Sequence, residues 1–336
     1  MSRKDNLTRC TRRSVLATVA GLPVAAALAQ QGHSQAARGE GAAQPKVKPK
    51  PLTLADLQGY PPLAQIGKAK ISRIIFGGNQ IADYNHCTRY PYINQIISAY
   101  YTPEKIASAL SMAEKCGVNT ILTNPRFIPK LQAYWKNFGG KIQFISDCGG
   151  ADTLAMAQQS IDVGAVACYI HGATSDRLVS EGNFDLMSKV LELIRKNGLP
   201  AGIGAHQLET VKGAVSKGLH PDFWMKTFHP ITWGGSNKLV QGYDEISCRN
   251  AAGEWNGTEV LAFMKDLKEP WIAFKTMAVG VVPPADAFKY AFDNGADFVC
   301  VGMFEWQLVT DINAGLAAIK GATNRDRPWR ALAPGA

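Results

Sequence analysis

Residues 184–206, FDLMSKVLELIRKNGLPAGIGAH, hold one complete unit of the fold. Apolar side chains recur at helical spacing from Phe184 to Asn197, and Gly198 takes the position where helices end in a left-handed residue. The small apolar run Ala201–Ala205 follows almost at once and reads as a buried strand, with His206 at its end. A helix returned to a strand by so short a turn implies a parallel crossover, which is right-handed.

The same unit recurs from residue 60 onward. Apolar runs lie at 71–77, 120–123, 142–146, 165–170, 201–205, 223–228, 272–277 and 298–301. Helical patterns lie at 103–116, 129–138, 153–163, 184–197, 208–216, 258–267, 284–293 and 307–319. Gly117, Gly164, Gly198, Gly218 and Gly295 stop five of these helices. Eight units in about 250 residues predict an α/β fold of the (β/α)8 TIM-barrel type over residues 53–336. A doubly wound sheet would carry a glycine fingerprint after its first strand, and Phe76-Gly77-Gly78-Asn79 lacks the third glycine at the required spacing. Two βα loops stand out for length, the first over 79–102 and the sixth over 230–257, and both are rich in Tyr, Trp, Asn and Arg. Such loops at the strand C-termini suit a polar small molecule such as a sugar, or else a contact within a homo-oligomer.

Residues 1–52 read differently. Arg3, Lys4, Arg9, Arg12 and Arg13 precede an apolar run that ends in Ala27-Leu28-Ala29, an A-x-A cleavage pattern. Thr11-Arg12-Arg13-Ser14-Val15-Leu16 resembles a twin-arginine export signal, so residues 1–29 are expected to engage the export machinery. The run is too short for a lasting membrane anchor. Residues 30–52 are a Gly/Ala/Gln/Pro/Lys linker with too few apolar groups to fold, and the product is expected to be periplasmic or secreted. Residues 1–52 together carry nine Lys/Arg against two acids, which leaves +2 of the net +9 for the rest. No basic patch interleaved with aromatics points to nucleic acid. Cys168 and Cys300 read as small buried hydrophobes, and in an oxidising compartment Cys87 and Cys248, both in long loops, would be able to pair.

The histidines gather on one rim. Asp147 ends the third strand, His171 the fourth, His206 the fifth and His229 the sixth. Neighbouring strands lie about 4.8 Å apart, so these four side chains are candidate ligands of one divalent ion, zinc, manganese, iron or nickel, with a position open to substrate. Gly202 and Gly204 share the parity of His206 and leave room below it, whereas Lys226 has the parity opposite to His229 and falls outside the site. Lys275, ending the seventh strand, and Glu305, after the eighth, are candidate acids or bases, as are Asp83 and His86 in the first loop. Asn79, Tyr84, Arg89, Asn124 and Trp233 are candidate substrate contacts. The expected function is a metal-dependent isomerase, epimerase or lyase acting on a small hydroxylated or carbonyl compound, a carbohydrate among them. A non-catalytic sugar-binding barrel is the alternative that uses the aromatic loops alone.

The stretch from Pro62 to Gly78 is similar to the opening of the aldo/keto reductases, in which a hairpin plugs the barrel floor before the first strand. Cys168-Tyr-Ile-His171 resembles their strand with a catalytic histidine, and Phe274-Lys-Thr-Met through Phe298-Val-Cys-Val-Gly-Met303 resembles their last two units. The resemblance implies a nicotinamide (NAD(P)) cofactor, with His171 and Lys275 as the working residues. Three departures stand against that cofactor. The second strand reads Thr123-Asn-Pro-Arg-Phe where the family has an Asp…Tyr-Gly motif, Asp147 replaces the catalytic lysine, and the arginine run after the eighth strand is missing. The chain also resembles a group of exported, uncharacterised barrel proteins that share Leu-Thr-Asn-Pro, Phe-Ile-Ser-Asp-Cys-Gly-Gly and Gly-Ile-Gly-Ala-His.

Overall fold

The computed structural model describes residues 50–86, 92–230 and 255–335. The expected signal and most of the expected linker, Cys87, Arg89, Trp233, Cys248 and nearly all of the sixth βα loop lie outside the described residues. Among the described residues no helix is long and apolar enough to cross a membrane.

Eight parallel strands close into a barrel. They are β3 (Ile74–Gly77), β4 (Thr120–Thr123), β5 (Gln143–Cys148), β6 (Ala167–Ile170), β7 (Ala201–Ala205), β8 (Phe223–Thr227), β9 (Trp271–Phe274) and β10 (Phe298–Val301). Closure comes from β10 pairing with β3, Val299 against Ile74 and Val301 against Phe76. The antiparallel hairpin of β1 (Leu63–Ile66) and β2 (Ala69–Ser72) precedes them. The run read as one strand over 71–77 is thus two, broken at Arg73. Its guanidinium turns to the carbonyls of Asp297 and Ala331 instead of continuing the pleat.

The helices are α1 (Tyr92–Tyr100), α2 (Pro103–Lys115), α3 (Ile128–Phe138), α4 (Thr153–Val163), α5 (Gly172–Ser180), α6 (Phe184–Lys196), α7 (Leu208–Ser216), α8 (Gly257–Asp266), α9 (Pro284–Asp293) and α10 (Leu308–Gly321). Side-chain caps open several of them: the Thr102 hydroxyl accepts from the Lys105 amide, the Asp152 carboxylate from Ala155 and the Asn183 amide oxygen from Leu186. The five glycines read as helix stops all have φ between 70° and 103°. Two helices escaped the pattern. α1 occupies the first βα loop, and α5 follows His171 directly with a Gly-Ala-Thr-Ser-Asp-Arg opening that has no apolar stripe and is mostly weak helix formers (Gly, Thr, Ser, Asp).

Alternation along each strand divides the core in two. Outward residues such as Phe76, Phe144, Ile170, Ile203 and Trp224 pack under the helices. Inward residues such as Ile75, Ile145, Phe223, Ile272 and Phe298 fill the barrel together with Ala64, Ile66, Ala69 and Ile71 of the hairpin, which therefore plugs the floor. A buried ion pair ties the chain end to this floor. Arg327 donates to Asp297 at 2.8 Å and to the carbonyls of Gly295, Met264 and Glu269, while the other Asp297 oxygen accepts from the amides of Arg330 and Ala331. Replacing Asp297 by Ala strands a buried guanidinium, so urea unfolding should show a loss of about 3–5 kcal/mol.

Candidate active site

All the βα loops emerge at the C-terminal ends of the strands, and the predicted histidines are there. The structure brings His171 and His206 together, with ring centroids 6.2 Å apart. His206 is almost fully buried and its Nδ1 lies 2.8 Å from Asp176 Oδ2. Asp176 comes from α5. Its carboxylate also accepts from the backbone amides of His206 and Gln207 and from the Thr210 hydroxyl, which places it at the N-terminus of α7, where the helix dipole favours an anion. The contact with Asp176 orients the His206 ring and leaves Nε2 as its other nitrogen.

Asp176 was not among the predicted site residues, because no periodicity marks the helix that carries it. The nearest signal was the acid five residues beyond His171 in the stretch His-Gly-Ala-Thr-Ser-Asp.

Lys226 is outside the barrel interior, as its parity requires, yet it is completely buried. Its ammonium donates to the His206 carbonyl at 2.7 Å and to Thr227 Oγ1 at 2.8 Å. The backbone of His206 is therefore gripped at the amide by Asp176 and at the carbonyl by Lys226. The room expected beneath His206 is taken by the Phe223 ring, which lies where a Cβ on Gly202 would be.

The four expected metal ligands do not converge. Among the described residues no three His, Cys, Asp or Glu side chains are grouped so as to hold a metal ion. The register explains why. Asp147 pairs with Tyr169, two residues short of His171; Ile170 pairs with Ile203, which sets His171 beside Gly204, two short of His206; Ala205 pairs with Lys226, which sets His206 beside Thr227, two short of His229. Strand tilt recovers about one residue per strand. The set therefore climbs about 3 Å at each step, like a stair rather than a ring. At the top, His229 Nδ1 lies 2.9 Å from the Pro230 carbonyl.

The two lowest steps of the stair have opposite electrostatics. Asp147 lies lowest, and burial pushes its carboxyl up to about 8. His171 is pulled down to about 4, chiefly by burial and then by the charges of His206 and Lys275. His86 also acts on His171, which places the first loop at the same mouth. His86 Nε2 lies 3.2 Å from Asn79 Nδ2, and the Tyr84 ring meets its edge at 4.9 Å.

Other candidates are already engaged. Asp83 pairs with Lys130 at 2.8 Å on the surface. Glu305 accepts from Lys105 at 2.8 Å and from the Tyr100 hydroxyl at 2.6 Å. Burial raises the Glu305 carboxyl, but these hydrogen bonds outweigh it and hold the group below the usual carboxylate range. The Asn124 side chain caps the short turn at Arg126. Lys275 sits at the end of β9 in a left-handed conformation, φ 56°, a strained state for a residue with a Cβ.

Glycines let the two histidines sit against backbone. A Cβ on Gly149 would lie 2.6 Å from His171 Cβ, and one on Gly172 would lie 2.8 Å from His206 Cε1. Gly172→Ala should therefore displace the His206 ring, seen as moved imidazole ¹⁵N resonances, and cost about 1–3 kcal/mol in urea unfolding. Gly321→Ala, with nothing within 4 Å of the new carbon, should leave both unchanged or stabilise slightly.

No protein-family model and no curated protein matches this sequence. Solved structures do. An inferred aldo-keto reductase from Pseudomonas aeruginosa aligns at 15% identity over 77% of this chain and 95% of its own, with a TM-score of 0.50. An aldo-keto reductase from a Medee basin deep-sea metagenome library aligns at 10% identity over 77% and 93%, TM-score 0.45. The N-acetylneuraminic acid synthetase of Leptospira borgpetersenii aligns at 14% identity over 78% and 90%, TM-score 0.43. At such identities the likeness is one of fold: the chain is a TIM barrel of the kind seen in aldo-keto reductases.

Proposed function

We propose that this chain is an exported enzyme that moves a proton at the carbon beside a carbonyl group of a small hydroxylated substrate, as an isomerase, epimerase or lyase does. The observation that carries the reading is the inverted pair on the barrel wall, a carboxyl raised to about 8 beneath an imidazole lowered to about 4. Between those values Asp147 holds its proton and His171 is neutral, so two uncharged groups can hydrogen-bond to a carbonyl oxygen. His206, oriented by Asp176, takes the proton from carbon. The electron pair moves into the carbonyl, whose oxygen gains negative charge against Asp147 and His171. Return of the proton on another face or carbon gives isomerisation or epimerisation, and loss of a group from the next carbon gives elimination.

The divalent-ion expectation narrows to His171 and His206 as the two donors that remain near each other. Elemental analysis of the folded protein tests it. A nicotinamide-linked oxidoreductase is the second reading, favoured by His171 ending the fourth barrel strand. Saturable quenching of Trp fluorescence by NADPH would support that reading over the first.

Proton NMR in D₂O on a panel of small ketoses, aldoses and 2-oxo acids tests the proposal directly. At least one compound should lose its carbon-bound proton signal, and His206→Ala should slow that exchange by about 100-fold or more. The rate should fall below about pH 4, where His171 gains a charge, and above about pH 8, where Asp147 loses its proton. Exchange undiminished in His206→Ala would end the proposal.

Stability supplies an independent check. Asp147 has a folded pKa above its unfolded one, so its contribution is complete below about 3.8 and is lost as pH rises towards about 8. Asp147→Asn removes that loss. Its melting temperature should exceed wild type by about 5 °C or more at pH 9 and by much less at pH 4.

A further inference from the structure

We propose that the floor of the barrel, the end opposite the mouth, is a docking face for an anionic lipid surface, made of exposed lysines interleaved with exposed apolar side chains. The hairpin sets the centre of this face. Ala64, Ile66, Ala69 and Ile71 point into the barrel, so Leu63 and Lys70 at alternate positions point away from it, with Lys68 in the turn between the strands. Lys141 and Lys268 stand in the turns that enter β5 and β9. All four lysines are exposed, and none has an acidic partner among the described residues.

The helices do not account for these charges. A cation in the last turn of a helix complements its dipole, which explains Lys115 and Lys196 at this end. The four other lysines lie outside any helix. Arginines here are turned to protein oxygens instead: Arg73 to the carbonyls of Asp297 and Ala331, Arg195 to Asp222 and Arg327 to Asp297. Among the acids, Asp222 and Asp326 pair with Arg195 and Lys265, and the exposed Asp162, Glu192 and Asp266 leave the lysines in excess. The mouth differs, since Lys105 and Lys130 each sit 2.8 Å from a carboxylate.

Charge alone would fit any acidic polymer, and the apolar side chains select a bilayer. Tyr60, Phe138 and Leu332 are 67%, 54% and 54% exposed, and Leu63 is 38% exposed. A Cβ on Gly117, in the turn entering β4, would lie 2.7 Å from the Tyr60 ring. Phe138 ends α3 just before Lys141, and the Leu332 carbonyl accepts from the Gln65 amide of the hairpin at 2.9 Å. Such side chains gain by entering the boundary between headgroups and acyl chains, where tyrosine is favoured; an acidic polymer in water offers them nothing to enter. Lysine suits the same boundary, because its long stem can be buried while the ammonium stays with the phosphates. Docked on this face, the chain keeps the mouth with His171 and His206 turned to solvent. The inference does not rest on the proton-transfer reading.

The full chain is mixed with vesicles of phosphatidylcholine holding about one third phosphatidylglycerol, and with phosphatidylcholine alone, and bound protein is measured by sedimentation. It should bind the anionic vesicles, ignore the neutral ones and come off in about 0.5 M salt. Residues 1–52 are basic and present in every variant, so differences between variants read the floor. Lys68→Gln combined with Lys70→Gln should weaken binding by about tenfold or more. Leu63→Ser combined with Leu332→Ser should weaken it by about fivefold or more, and Arg126→Gln at the mouth by less than about twofold. Thermal melts identify any variant that fails to fold, and the lysine pair, which changes only exposed side chains, then decides the case. No binding, equal binding to neutral vesicles, or unchanged affinity in the lysine pair would each overturn the docking face. Weaker binding in the lysine pair but not in the folded serine pair would assign the face to a soluble acidic polymer, and the lipid proposal would fall.

Discussion

Closure of the barrel, through the pairing of β10 with β3, is the constraint on which the rest depends. Once eight parallel strands form a ring, no edge remains, every second side chain must point to the axis, and every strand delivers its last residue to one rim. The hairpin seals the opposite end with Ala64, Ile66, Ala69 and Ile71, and the Asp297–Arg327 pair fastens the chain end beneath it.

The same closure sets the electrostatics. A carboxyl on the inward face of β5 has apolar walls around it and no described partner, so the desolvation of its charged form dominates and the proton stays. His171, a step higher, is kept neutral for the same reason, helped by the positive groups around it. His206 differs because it has a carboxylate of its own. Asp176 arrives on α5, which packs so closely that position 172 has no space for a side chain. One wall thus carries a protonated acid, a neutral imidazole and a carboxylate-bound imidazole within three strands.

Strand tilt decides what these groups can do together. Ligands at the ends of four neighbouring strands read as a ring when only their order in the chain is considered. The register shows that each stands two residues past the partner of the one before, and a tilt of one residue per strand recovers half of that. Donors on a rising path contact different heights of a bound molecule. That suits acid and base groups acting on adjacent atoms better than a closed coordination sphere.

Much of this was legible in the residues themselves. Helical spacing, five stop glycines and eight apolar runs determined the barrel and the rim on which His171, His206 and Lys275 sit, because those features depend on short-range periodicity and backbone sterics; the hairpin was legible only through the resemblance of Pro62–Gly78 to a known family. Parity along a strand was enough to place Lys226 outside the interior. Only the tertiary structure decided that Asp176 orients His206, that Phe223 fills the space over Gly202, that Glu305 and Asp83 are held by lysines, and that Asp147 lies beside Tyr169 below the histidines instead of level with them. These outcomes depend on the stagger between strands and on which helix packs over which strand end. Both are properties of the closed ring, and no window of sequence contains them.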